Sequence, residues 1–109
     1  LNFNQKRLIG GDIMIVFTLK MPHRGSWNGR WSGEDKIYAR IFHNNDVPKD
    51  IIGKDFYYNW DDGWCACVSV TKVDSKEAAK IRNKSAGFCG YDWMIRSIIK
   101  NGEIIAEGK

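Results

Sequence analysis

The stretch Phe56-Tyr57-Tyr58-Asn59-Trp60-Asp61-Asp62-Gly63-Trp64-Cys65-Ala66-Cys67-Val68-Ser69-Val70 decides the fold class. Two runs of aromatic and β-branched residues flank Asp61-Asp62-Gly63, and Asp-Gly suits the left-handed backbone positions of a tight hairpin. On the second run Trp64, Ala66, Val68 and Val70 share one face, and Cys65, Cys67, Ser69 and Thr71 share the other. The central element is therefore an antiparallel hairpin.

Upstream, residues 12–20 alternate with Ile13, Ile15, Phe17 and Leu19 on one face, which predicts a half-buried strand. Lys36 to Phe42 alternates again, with Ile37, Ala39 and Ile41 opposite Lys36, Tyr38, Arg40 and Phe42. Between these two strands, residues 21–34 are rich in turn formers and predict a long loop. The run from His43 to Asp50 reads as a polar connection.

Downstream the period changes. Asp74 followed by Glu77 is the carboxylate variant of a capping box and predicts a helix that Gly87 closes. Ala78, Ala79 and Ile81 give that helix a small apolar face, suited to close packing on a sheet. A second helix is predicted from Asp92, because Met94, Ile95, Ile98 and Ile99 form a stripe and Gly102 follows it. A hairpin at Asn101-Gly102 competes, but Arg96-Ser97 interrupts a strand pattern. Residues 103–107 are expected to form a short last strand. The sum is an α+β fold: one small domain, an antiparallel sheet of four to five strands, and two helices packed on one face. Residues 1–13 read as a leader or upstream extension, ahead of a single domain over 14–109.

Composition bounds the function. The chain has 109 residues, 43% apolar and 28% charged, which is ordinary for one globular domain and excludes disorder. No apolar run approaches the ~20 residues of a membrane span, so no membrane partner is expected. Seventeen Lys and Arg against 13 Asp and Glu leave a net +4, mildly basic. An odd count of three cysteines, two of them separated by one residue, argues for reduced thiols and a cytoplasmic setting.

Two features carry functional weight. Within the loop, Arg24, Trp27, Arg30 and Trp31 stand among glycines that permit close backbone approach. Indoles stack on flat ligands and guanidinium groups fork onto phosphates, so nucleic acid, a nucleotide or an acidic protein surface would suit them. The plainer account folds both indoles back as a lid over the sheet. The second feature is a lysine series at i+4 spacing, Lys76, Lys80 and Lys84, preceded by Lys72. Like charges so placed on a helix repel, and a phosphate backbone would reverse the sign. The plainer account is a solvated helix face.

No cofactor or metal is expected: a Cys-x-Cys on a strand lacks the second ligand pair of a structural zinc site. The carboxylates of Asp61 and Asp62 belong to the turn. The chain shows no P-loop, dinucleotide fingerprint or nucleophile elbow, and an enzyme is the less favoured reading. The expectation is a small basic binding protein that takes nucleic acid or a nucleotide through the Trp/Arg loop and the lysine helix. The alternative is a protein-binding accessory factor or inhibitor of the kind mobile elements encode. Exposed aromatics and an edge strand also suit a homodimer.

Overall fold

The computed structural model describes residues 12–21, 38–85, 88 and 90–106. Four strands form one antiparallel sheet: β1 (Ile13–Lys20), β2 (Tyr38–His43), β3 (Asp55–Asn59) and β4 (Cys65–Asp74). Their order across the sheet is β2-β1-β4-β3. Two helices follow, α1 (Ser75–Lys84) and α2 (Asp92–Asn101). The protein is an α+β domain with a four-stranded antiparallel sheet and two helices.

The β3–β4 hairpin turns where the sequence places it. Trp60 N donates to Trp64 O at 2.9 Å, Gly63 N donates to Trp60 O at 3.2 Å, and Gly63 takes a φ of 96°. Before β3, Gly53 N donates to Val70 O and Lys54 O accepts from Val70 N, so two residues face one in a bulge. A φ of 86° at Gly53 fits glycine there. The pairing then runs without interruption from Asp55 opposite Ser69 to Asn59 opposite Cys65.

Both predicted helices form. Asp74 Oδ1 accepts from Glu77 N at 2.8 Å, closing the cap of α1. Gly102, in the left-handed region at φ 72°, ends α2 as its N–H donates to Ile98 O. The sequence reading carried α1 on to Gly87; the helix ends at Lys84, with Ser85 as its C-cap.

The main core lies between the sheet and α2. Ile15, Phe17 and Leu19 of β1 and Ala66, Val68 and Val70 of β4 pack with Met94, Ile95 and Ile98 of α2, and Phe88 joins them. Strand alternation puts Met14, Val16 and Ala39, all buried, on the opposite face, outside that cluster. There α1 crosses β4, β1 and β2, with Ala78 as its buried residue. The helices thus divide between the two faces, where the sequence reading put both on one. The reason is in β1, whose apolar residues run without alternation from Ile13 to Phe17, so the strand is covered on both sides.

Two further segments differ from expectation. The polar connection 43–50 forms two short 3-10 turns, Asn44–Asp46 and Lys49–Ile51, the second ending just past it, and Val47 and Ile51 are buried in the main core. Residues 103–106 are not a strand. Ser97, only 2% exposed, accepts from Ile105 N through Oγ and donates to Glu103 O, both at 2.8 Å. That hydroxyl does the work of a strand partner, and it lets Ile104 turn into the core.

Candidate functional site

Lys76, Lys80 and Lys84 are all exposed on α1. At 3.6 residues per turn, Lys80 lies about 160° around the axis from buried Ala78, and the three ammonium groups span about 12 Å of helix. The stripe therefore points away from the sheet. Glu77 in the first turn and Arg82 and Lys84 in the last complement the helix dipole. Among the described residues the one ion pair joins Arg40 Nη1 to Asp92 Oδ1 at 3.0 Å, and it leaves the lysine stripe unneutralised. Lys72 does not continue the series. It sits on β4 with the side-chain parity of Val68 and Val70, toward the α2 side.

A groove of about 270 Å³ opens at the hairpin end of the sheet, lined by Met21, Trp60, Asp62, Trp64 and Tyr91. Its walls are braced by edge-to-face rings. Trp60 meets Tyr58 at 5.1 Å and Tyr91 at 6.4 Å, and Tyr58 meets Trp93 at 5.4 Å. Asp62 Oδ1 accepts from Trp64 N at 3.2 Å, which holds the floor of the turn. A φ of 83° at Gly90 brings the chain sharply into Tyr91 and α2.

Arg24, Trp27, Arg30 and Trp31 lie outside the described residues. Their segment leaves the described structure at Met21, on the groove, and returns at Tyr38. The structure does not bring the lysine stripe and the groove together, because α1 and α2 cover opposite faces. Sequence reasoning missed the meeting of Met21 and Tyr91. The available signal was the run Gly90-Tyr91-Asp92-Trp93, an aromatic pair set at a glycine turn and a helix start.

On the α1 side of the sheet, Tyr57 stands opposite Cys67. Its phenol is pushed above the ordinary value of 10.0, first by electrostatic repulsion from Cys67, then by a hydrogen bond to Cys67 and the charge of Asp55. Cys65 is buried and Cys67 partly so, both as free thiols. Among the described residues no group of three His, Cys, Asp or Glu side chains gathers to hold a metal ion. No helix among them is long and apolar enough to cross a membrane.

These features define a small basic α+β domain with an exposed cationic helix and an aromatic groove. Compared with protein-family models, curated proteins and solved structures, the chain matches none.

Proposed function

We propose that this protein is a small nucleic-acid-binding module that meets the phosphate backbone with Lys76, Lys80 and Lys84. The observation that carries this is the stripe itself: three ammonium groups on the solvent pole of one helix, neutralised by no ion pair among the described residues. Such a stripe stores like-charge repulsion that phosphates relieve while releasing counterions. Arg24, Trp27, Arg30 and Trp31 enter by residue type, as a stacking and phosphate-binding loop for unpaired bases or a nucleotide. A cytoplasmic setting accords with the free thiols of Cys65 and Cys67.

Fluorescence anisotropy with labelled single- and double-stranded DNA and RNA tests the reading. Three phosphate contacts on duplex DNA correspond to a salt slope near −2.7, or an affinity loss of about 40-fold between about 50 and about 200 mM salt. Replacing Lys76, Lys80 and Lys84 by Gln is expected to abolish most of that slope. Trp27→Ala/Trp31→Ala is expected to weaken single-strand binding selectively. Absence of binding at low salt overturns the proposal.

The aromatic groove favours a second reading, a protein-binding accessory factor or inhibitor. Trp60, Trp64 and Tyr91 are the residue types that anchor protein interfaces. Salt-insensitive capture of a specific protein, lost in Trp60→Ala, would put this reading first.

A further inference from the structure

The two edges of the sheet are finished differently. At β2, Ala39 N donates to Ser85 Oγ at 3.0 Å and Ser85 Oγ donates to Ala39 O at 3.1 Å, so the outward backbone groups of Ala39 are satisfied within the chain. At β3 the bonds Trp60 N to Trp64 O and Val70 N to Lys54 O show that even-numbered residues face β4. By the two-residue period, Asp55, Tyr57 and Asn59 direct their N–H and C=O groups outward. Among the described residues no strand borders that side. Natural edges are blunted by lysine, proline or a bulge; here the Gly53-Lys54 bulge stands at the entry to the edge, and Asp55–Asn59 beyond it carries none of these. At its centre Tyr57 is 56% exposed, the most exposed large hydrophobic residue among those described.

We propose that β3 is a homodimer interface, pairing antiparallel with β3 of a second copy about a two-fold axis at Tyr57. The register follows from complementarity. An axis at Tyr57 uses all three outward residues: Tyr57 meets Tyr57 of the partner subunit, and Asp55 meets Asn59 of the partner subunit. Each such pair exchanges two backbone hydrogen bonds, six in all by the geometry of the antiparallel ladder, on the order of the smallest interfaces. An axis at Phe56 or Tyr58 engages only two of the three within β3, and an axis at Asp55 sets two carboxylates face to face. With the axis at Tyr57 no like charges oppose each other, and a carboxylate faces a carboxamide. On the α2 side Phe56, half-buried and packed on the core, meets Tyr58 of the partner subunit, which extends the core across the axis. The pairing is isologous, so it closes at two copies and yields an eight-stranded sheet rather than a fibre.

Sedimentation velocity on the full chain, from about 1 µM to about 1 mM, tests this. Wild type is expected to show a concentration-dependent dimer. Tyr57→Lys sets two ammonium groups at the axis and is expected to weaken the dimer about tenfold or more. Asn59→Asp opposes two carboxylates twice per dimer, with an expected weakening of about tenfold. Asn59→Lys creates an opposite-charge pair with Asp55 of the partner subunit and is expected to match or tighten wild type. Circular dichroism checks that each exposed-edge variant keeps its fold. Hydrogen exchange should show the amides of Asp55, Tyr57 and Asn59 gaining protection with concentration. A monomer throughout, or a dimer indifferent to Tyr57→Lys and to the charge at position 59, overturns the proposal.

Discussion

Edge strands β2 and β3 begin from the same liability, a row of outward backbone groups, and meet it by opposite means. At β2 the chain itself supplies a partner for Ala39. Helix α1 leaves β4 without a linker, crosses one face of the sheet, and delivers Ser85 to the outer side of Ala39. The chain then passes to the other face, where Phe88 and α2 complete the core. At β3 no described segment returns, and Asp55, Tyr57 and Asn59 remain outward. An edge is closed where the path of the chain happens to cross it.

The comparison can be broken most directly at Ser85. Ser85→Ala strips both side-chain bonds from Ala39, and a part-buried peptide then lacks its partners. The expected loss is about 1–3 kcal/mol in urea unfolding, with faster exchange of the Ala39 amide. If stability and exchange are unchanged, the β2 edge is no better closed than β3.

Asp74→Ala acts at the start of the same helix and should cost about 1 kcal/mol by removing the N-cap. Exchange at Ala39 is expected to stay slower than in Ser85→Ala, because the far end of α1 is held by its own bonds. Equal exchange in the two variants would show that the helix, rather than Ser85, guards the edge.

Arg40→Ala is expected to cost less, about 0.2–1 kcal/mol, since its ion pair with Asp92 is nearly half exposed on both sides. Its guanidinium also lies 5.5 Å from the Phe42 ring centre, so part of the loss should survive high salt. A loss that vanishes entirely in salt would reduce the contribution of Arg40 to the ion pair alone.

The smallest effect belongs to the open edge. The Tyr57 phenol should ionise above its ordinary value of 10.0, read by phenolate absorbance, and Cys67→Ser should bring it down. A raised pKa means the folded state holds the proton more tightly than the unfolded chain. Its contribution to stability is complete below the ordinary value and is lost as pH rises through the raised one. An unshifted phenol in wild type would mean that solvent screens Tyr57 from Cys67 and Asp55.

Much of this architecture was legible locally. The Asp74–Glu77 cap, Gly102 after the apolar stripe, and Asp62-Gly63 between aromatic runs are signals that act within a few residues. They survived because no tertiary demand opposed them. The double layer was also written in β1, since Met14 and Val16 interleave with Ile15 and Phe17, but a search for alternation passes over an unbroken apolar run. Of the candidate site, the exposure of Lys76, Lys80 and Lys84 followed from helix period alone. The groove did not, because Met21, Trp60 and Tyr91 stand far apart along the chain.

The sequence by itself determined the strands of the hairpin, both helices with the N-cap of α1 and the C-cap of α2, and the solvent pole carrying the lysines. Each depends on backbone preferences and side-chain period, which are short-range. Only the tertiary structure decided which face each helix covers, which edge is closed, and that Ser97 holds residues 103–106 in place of a strand. Those outcomes depend on where a hydroxyl or a ring arrives after the chain has crossed the sheet. No local propensity encodes that arrival, because it depends on burying both faces of β1 at once.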